Sequence, residues 1–277
     1  MRSLWLAAAA LALAVPSYAA DQPKPDPALQ KIVTGPQRSA NFAARDPLRH
    51  PVEELTFFGV TPSSSLVEIW PDGGNYWLEI LAPYLRDHGT YYAAGVPKPA
   101  PDDPPARVAA RSKQMEGFAA KLKSDPVYDK VVVTEFGKDH YDIAPPGSAD
   151  FVVSFRNLHN WMAAGYADQA LAGFFKALKP GGILGLEDHR GREDVTQDPK
   201  AASGYVRQDY AIELAKKAGF EFVGSSEIDA NPKDTKDWPE GVWTLAPTFA
   251  LGDQDKAKYA AIGEADNFVL KFRKPLK

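Results

Sequence analysis

The fold of this chain is decided by the stretch Leu66-Val67-Glu68-Ile69-Trp70-Pro71-Asp72-Gly73-Gly74. It is an apolar run with one acid that leads directly into a glycine turn. A continuous apolar run bounded by turn residues is typical of a central strand in a parallel sheet, which is buried on both faces. Glycine at the turn lets the backbone approach a ligand closely and tolerates positive φ. The stretch therefore predicts a strand, Leu66–Trp70, that ends at a binding loop.

Six further strands are indicated, each separated from its neighbours by a helix, a turn or a long connection. They are predicted at Gly89–Ala94, Val127–Thr134, Phe151–Ser154, Ile183–Glu187, Phe220–Ser225 and Phe268–Arg273. Apolar residues at helical spacing predict helices at Pro51–Phe58, Asn75–Leu85 and Ala106–Lys123, and two more before Gly181 and Gly219. Alternation of this kind requires right-handed crossovers and a largely parallel sheet. The sequence predicts an α/β fold.

Two later segments follow the first strand in a fixed order. They are Ala149-Asp150-Phe151-Val152-Val153-Ser154 with Asn157-Leu158-His159, and Leu178-Lys179-Pro180-Gly181-Gly182-Ile183-Leu184-Gly185-Leu186-Glu187-Asp188. Together with the first stretch, they resemble the class I methyltransferases that use S-adenosylmethionine, from about Leu66 to Pro275. The resemblance implies a Rossmann-like methyltransferase fold: a mostly parallel seven-stranded sheet with an antiparallel C-terminal strand and helices on both faces.

The glycine turn departs from the pattern of that family, which usually shows acid-x-Gly-x-Gly-x-Gly. Trp70 and Asp72 stand where the first two glycines are expected, and Gly74 matches the third. In the family the second strand ends in an acid that binds the ribose, whereas Tyr91–Gly95 offers none. The departure favours, as an alternative, a protein that has kept the fold and binds another ligand.

The resemblance implies a cofactor site at the carboxyl ends of the strands, where ligands bind in open α/β sheets. The segment that starts at Asp139 looks like the adenine-binding turn of the family, with a solvated surface acid as the competing interpretation. The segment after the fourth strand corresponds to residues that contact the methionine part and the acceptor. The implied residues around S-adenosylmethionine are Glu68, Gly73, Gly74, Asp139, His140 and Asn157.

Two histidines are the candidate catalytic residues beside the methyl acceptor. His159 could take a proton from a nucleophile, because an unperturbed imidazole titrates near pH 6.5, or it could cap the next helix. His189 lies in the charged run Glu187–Arg190, which with His159 could form a divalent metal site. Arg190 could instead bind an acidic acceptor, and a solvated turn is the more frequent outcome for such a run. We assign no metal ligand.

The first residues predict export. Met1–Ala19 has a positive start, an apolar core too short to span a bilayer and a small-x-small cleavage site, as in a signal peptide. No cysteine occurs, so an exported chain must rely on a core instead of disulfides. We expect a signal peptide at residues 1–19, an N-terminal arm at residues 20–50 and a methyltransferase-like domain at residues 51–277, in the periplasm and free of the membrane after cleavage.

The charge of the chain does not favour a nucleic acid partner. Its formal net charge is -4, with 32 Lys and Arg against 36 Asp and Glu. We therefore expect an exported S-adenosylmethionine-dependent methyltransferase that acts on a small molecule. The alternative is a non-catalytic ligand-binding protein with the same fold. A nicotinamide dehydrogenase is disfavoured because the Gly-x-Gly-x-x-Gly turn is absent. The oligomeric state is not predicted.

Overall fold

A computed structural model describes residues 24–277, with the side chain of Asp72 excepted. The predicted signal segment, residues 1–19, lies outside the described residues. The described chain forms one seven-stranded sheet in the order β3-β2-β1-β4-β5-β7-β6. Its strands are β1 Ser65–Ile69, β2 Thr90–Gly95, β3 Val132–Glu135, β4 Ala149–Phe155, β5 Leu178–His189, β6 Glu221–Ser226 and β7 Asn267–Arg273.

Strands β1 to β5 pair in parallel, and β7 runs antiparallel to both of its neighbours, β5 and β6. This topology confirms the predicted Rossmann-like methyltransferase fold. The strand order reverses between β1 and β4, the point at which open α/β sheets bind ligands.

Helices cover both faces of the sheet. They are α1 Pro27–Val33, α2 Ala40–Ala43, α3 Asp46–Arg49, α4 Pro51–Phe58, α5 Leu78–Leu85, α6 Pro105–Lys123, α7 Leu158–Ala164, α8 Ala167–Ala177, α9 Gln208–Lys217 and α10 Lys256–Ile262. Helices α7, α8 and α9 contribute to one buried core, and α1, α4 and α5 contribute to a second core on the other side of the sheet. Within residues 24–277, none of the helices is long and apolar enough to cross a bilayer.

The N-terminal arm packs on the second core. Leu29 and Val33 of α1 are buried there, which ties the arm to α4 and α5. The buried carboxylate of Glu79 on α5 accepts hydrogen bonds from the backbone amide and the hydroxyl of Ser39, and from Lys121 Nζ at 2.7 Å. The two contacts from Ser39 tie the start of α2 to α5, and the contact from Lys121 ties α6 to α5.

Two predicted elements begin later in the structure. The third strand was expected from Val127, but Pro126–Tyr128 forms a short 3-10 turn because Asp125 caps the amide of Val127, and β3 begins at Val132. The helix after β1 was expected from Asn75 and begins at Leu78, since Asn75 has a left-handed backbone with φ of 62°. Local turn geometry at a proline or an asparagine overrides the apolar spacing in both places.

Candidate functional site

The loop after β1 is built from one residue in an unusual conformation followed by a short 3-10 helix. Trp70 has a left-handed backbone with φ of 56°, at a position where the family pattern has glycine. Gly73 ends the 3-10 helix, and Gly74 has an extended φ of -167°, so neither glycine needs its conformational freedom. A Cβ atom at Gly73 or Gly74 would meet nothing within 4 Å. The two glycines therefore contribute open space.

This loop borders a cavity of about 260 Å³ at the carboxyl ends of β1 and β4, here called the first cavity. It brings together four of the six predicted cofactor residues, namely Glu68, Gly73, Gly74 and Asn157. The arm closes its other side with Phe42 of α2, Arg45 between α2 and α3, and Arg49 of α3. The sequence did not predict a contribution from the arm.

Three residues that line the first cavity carry buried polar atoms with no hydrogen-bond partner among the described residues. They are Arg45 Nη2 and Trp77 Nε1, which are donors, and Asn75 Oδ1, which is an acceptor. The ring of Trp77 stacks on that of Phe155, with the ring centroids 3.9 Å apart. Buried polar groups in folded proteins are almost always paired, so unpaired atoms on three residues that line one cavity favour a polar ligand there.

Glu68 and Asn157 are held by hydrogen bonds within the protein. Glu68 is buried on β1, and its Oε2 accepts a hydrogen bond from the hydroxyl of Tyr91. Asn157 Nδ2 donates to the carbonyl of Phe155 at 3.2 Å and to that of Ile69 at 3.4 Å. The amide of Asn157 thus links the ends of β1 and β4 and shapes the floor of the cavity.

The side chain of Trp70 lies across the carboxyl end of β2. Its backbone amide donates to the carbonyl of Ala94, the penultimate residue of that strand, at 2.9 Å. Its indole Nε1 donates to the carbonyl of Phe136, just after β3, at 2.8 Å. In the family the end of β2 is where an acid would bind the ribose. Here the Trp70 indole lies across the end of that strand.

Asp139 and His140 are placed on an exposed turn after β3. Gly137 and His140 pair across this turn, and His140 Nδ1 lies 3.3 Å from Glu135 Oε2. Neither Asp139 nor His140 lines the first cavity or the one described next.

A second cavity of about 250 Å³ adjoins the first and shares Arg49, Arg156 and Pro247 with it. His159 and His189, the two predicted catalytic residues, both line it. Their ring centroids are 5.2 Å apart. The structure therefore brings the two histidines together from the start of α7 and the end of β5.

Asp188 and Asn267 fix the orientation of these two rings. His159 Nδ1 donates to Asp188 Oδ1 at 2.8 Å, and the backbone amide of His159 donates to Oδ2 of the same carboxylate at 2.8 Å. His189 Nδ1 donates to Asn267 Oδ1 at 2.7 Å. Both rings keep Nε2 for a ligand. His159, Asp188 and His189 also offer ligand atoms within 4.8 Å of one another, which brings together the residues of the metal site considered from the sequence.

Burial and neighbouring charges shift the pKa values of His189 and Asp188. Burial lowers the pKa of His189 to about 3, so its ring is neutral near pH 7. Burial by itself would raise the pKa of Asp188, but the neighbouring His159 outweighs it and holds this pKa below its ordinary value. Asp188 and Glu187 are almost fully buried, which differs from the solvated turn that a charged run usually forms.

Arg190 takes part in structural contacts. Its guanidinium contacts Glu227 Oε2 at 2.6 Å, the carbonyl of Asn267 at 3.0 Å and Asp266 Oδ2 at 3.7 Å. These contacts join the end of β5 to β7 and to the loop after β6. They leave Arg190 poorly placed to bind an acidic acceptor.

Three arginines converge on Glu264 between the two cavities. Arg45 Nε, Arg156 Nη1 and Arg49 Nη2 lie 2.6, 3.0 and 3.3 Å from its carboxylate oxygens. Burial would raise the pKa of Glu264, but the hydrogen bond from Arg45 and the charges of Arg49 and Arg156 lower it to about 2. Sequence reasoning missed this network. The spacing of Arg45 and Arg49, one helical turn apart before Pro51, is the only local signal of it.

Comparison with known proteins identifies the fold. No protein-family model matches the chain, and no curated protein sequence matches it. A solved S-adenosylmethionine-dependent methyltransferase from Aquifex aeolicus has 15% identity and a TM-score of 0.53, over 88% of this chain and 97% of that chain. The [4+2]-cyclase SpnF has 19% identity and a TM-score of 0.53, over 91% and 92%.

A third similar structure is Haemonchus contortus phosphoethanolamine N-methyltransferase 2 in complex with S-adenosyl-L-methionine. It has 14% identity and a TM-score of 0.52, and the match covers 89% of this chain and 56% of that one. At these identities the likeness concerns the fold alone. The chain therefore has the fold of the class I S-adenosylmethionine-dependent methyltransferases.

Proposed function

We propose that this chain binds S-adenosylmethionine in the first cavity and transfers its methyl group to a small molecule in the second. The observation that carries the proposal is the set of three unpaired polar atoms around the first cavity, on Arg45, Asn75 and Trp77. The residues that carry them line the same cavity as Gly73 and Gly74, where there is open space. The site therefore suits a ligand with a zwitterionic end that carries both a carboxylate and an ammonium group.

The amino acid end of the cofactor matches these atoms. Its carboxylate would accept hydrogen bonds from Arg45 Nη2 and Trp77 Nε1, and its ammonium group would donate to Asn75 Oδ1. Hydrogen bonds to charged groups contribute about 1.5–3 kcal/mol each, so this end would provide much of the affinity. The bound cofactor would supply a methyl group that is already activated by the sulfonium.

The protein then has to hold the acceptor in line and accept its proton. In-line placement supplies most of the acceleration in such a reaction. His159 is oriented by the carboxylate of Asp188, and its unprotonated form carries the lone pair on Nε2. Nε2 of His159 would take the proton of a hydroxyl or nitrogen acceptor in the second cavity. The neutral ring of His189 would contact the same acceptor.

A Gly74→Leu variant tests this proposal, because the φ of Gly74 is not in the left-handed region and a side chain there meets open space. We expect the variant to fold and to lose binding of S-adenosylmethionine. Gly117→Leu is the matched control, since Gly117 is an exposed glycine of α6 that also has no neighbour within 4 Å. Equal cofactor affinity in both variants would remove the loop from the site.

A second candidate function is ligand binding without methyl transfer. The specific observation in its favour is the Trp70 indole at the end of β2, where the ribose of the cofactor would otherwise be bound. In that case the first cavity would hold a smaller zwitterion, such as an amino acid. Binding of free methionine but not of S-adenosylmethionine would identify this second function.

Export is a separate part of the proposal. It is supported by the sequence of Met1–Ala19, with its apolar core and its Ser17-Tyr18-Ala19 cleavage site. The mature protein would start near Ala20, would act in the periplasm and would have a small molecule as its partner. Mass spectrometry of the protein from a periplasmic fraction tests this directly. An intact Met1 terminus would contradict it.

A further inference from the structure

A cluster of three buried carboxylates contacts Arg156, a residue that lines both cavities, from the side of the protein core. Glu54 on α4, Glu187 on β5 and Asp229 in the loop after β6 offer carboxylate oxygens that lie within 4.8 Å of one another. Their exposed fractions are 0%, 1% and 4%. None of the three lines the first or the second cavity. The cluster joins three elements that are distant in the sequence.

Four oxygens of this cluster are buried and have no hydrogen-bond partner among the described residues. They are both oxygens of Glu54, Oε2 of Glu187 and Oδ2 of Asp229. The remaining two oxygens are engaged: Asp229 Oδ1 lies 2.9 Å from His50 Nδ1, and Glu187 Oε1 lies 3.6 Å from Arg156 Nε. A buried carboxylate without any partner is strongly unfavourable, so the side chain of Glu54 in particular requires either a bound cation or a proton.

The nearby arginines do not supply that partner. Arg45, Arg49 and Arg156 all direct nitrogens at Glu264, and only Arg156 also reaches the cluster. Because Arg45 and Arg49 contact Glu264, the cations that contact the three carboxylates are Arg156 and, when it is protonated, His50, which leaves a net charge of -2 or -1 on the ionised cluster. Arg45 is partly exposed and lines the first cavity. Burial and the neighbouring carboxylates raise the pKa of Glu54, so a cation or a proton has to offset the negative charge that remains on the cluster.

We propose that Glu54, Glu187 and Asp229 bind a hard divalent cation, Ca²⁺, Mg²⁺ or Mn²⁺. The unpaired atoms are all carboxylate oxygens, and these ions prefer oxygen ligands over nitrogen or sulfur. The ion would cross-link α4, β5 and the loop after β6 in a chain that contains no cysteine. The site is separate from the proposed cofactor site, and its occupancy does not depend on S-adenosylmethionine.

The test is calorimetric titration of the EDTA-treated full chain with Ca²⁺, Mg²⁺ and Mn²⁺ in the absence of S-adenosylmethionine. We expect one ion per chain and a rise in the unfolding temperature that EDTA reverses. Glu54→Gln keeps the shape of the side chain and should weaken ion binding at least tenfold. Glu53→Gln removes the same charge from an exposed position of the same helix and should leave the affinity unchanged.

Absence of binding of all three ions to the wild-type chain would overturn the proposal, and so would equal ion affinity in the Glu54→Gln and Glu53→Gln variants. The Glu54→Gln variant also distinguishes a bound ion from a bound proton, because glutamine imitates a protonated carboxyl group. If a proton occupies the cluster, Glu54→Gln retains wild-type stability and EDTA has no effect on either protein. Asp229→Asn provides a second variant of the same design if Glu54→Gln fails to fold.

Discussion

The indole Nε1 of Trp70 donates a hydrogen bond to the carbonyl oxygen of Phe136 at 2.8 Å, and this bond spans the carboxyl end of β2. The same ring lies at a tilt to the ring of Phe136 and edge-on to the ring of Trp161. A tryptophan thus lies at the end of the strand where the family resemblance implies that the ribose would bind. This relationship decides how the nucleoside part of any cofactor could be seated.

Trp70→Gly restores the residue that the family pattern expects and removes the indole from the end of β2. The left-handed φ of 56° suits glycine, which offsets part of the loss of packing. We expect a net loss of about 2–3 kcal/mol in the free energy of unfolding, less than is typical for removal of a buried aromatic ring. We also expect at least tenfold tighter binding of S-adenosylhomocysteine, measured by calorimetry. Weaker binding would mean that the indole itself contacts the ligand.

Trp77→Phe removes one unpaired donor of the first cavity and keeps an aromatic ring against Phe155. Because the lost hydrogen bond would go to a charged carboxylate, we expect affinity for S-adenosylmethionine to fall about tenfold or more. Trp161→Phe is the matched control, since Trp161 Nε1 is also buried and unpaired but does not line the first cavity. A similar loss of affinity in both variants would assign the effect to packing.

His189 should make the protein less stable in mild acid. Burial lowers the pKa of His189 to about 3 in the folded protein, whereas an unfolded histidine titrates near 6.5. The unfolded chain therefore binds more protons below pH 6.5, and stability falls as the pH is lowered. Lowering the pH from 8 to 5 should therefore reduce the free energy of unfolding by about 1–2 kcal/mol through His189. Urea unfolding at both pH values measures this effect. In the His189→Gln variant, the difference in the free energy of unfolding between pH 8 and pH 5 should be smaller than in the wild-type chain by that amount.

The exposed His88 supplies the control for this measurement. We expect His88→Gln to retain the full wild-type difference in the free energy of unfolding between pH 8 and pH 5. If His189→Gln retains the full difference as well, the buried ring does not cause the acid sensitivity.

Glu264→Gln should destabilise the protein strongly. It removes the negative charge that three arginines share, and breaking a buried ion pair costs about 3–5 kcal/mol. Glu227→Gln removes the exposed partner of Arg190 and should cost less than about 1 kcal/mol. Thermal unfolding of the two variants measures the contrast. Similar unfolding temperatures would show that the arginines find other partners.

Glu264 also adds acid sensitivity at lower pH. Its pKa is lowered from 4.5 to about 2, so its stabilising contribution is complete above pH 4.5 and is lost as the pH falls toward 2. The Glu264→Gln variant should lack this part of the acid transition.

The sheet was predictable from the sequence because buried parallel strands are continuous apolar runs. β1 and β4 were placed within three residues of their observed ends, and the antiparallel pairing of β7 was implied by the family resemblance. The candidate histidines were also predictable, since polar residues after β4 and β5 meet at one edge of a parallel sheet.

The remainder of the site depends on contacts that no local pattern encodes. Arg45 and Glu264 are 219 residues apart in the chain, and the arm had no pattern to indicate that it closes the first cavity. The position of the Trp70 indole followed from its left-handed backbone, which the sequence does not specify for tryptophan. Both features depend on tertiary packing around the loop.

The most direct test of the central claim is calorimetric titration of the purified chain with S-adenosylmethionine and S-adenosylhomocysteine, with a nicotinamide dinucleotide as the control. We predict that both adenosyl ligands bind with micromolar dissociation constants, about -8 kcal/mol, and that the dinucleotide gives no heat. Absence of heat and of any thermal shift with both adenosyl ligands would contradict the account.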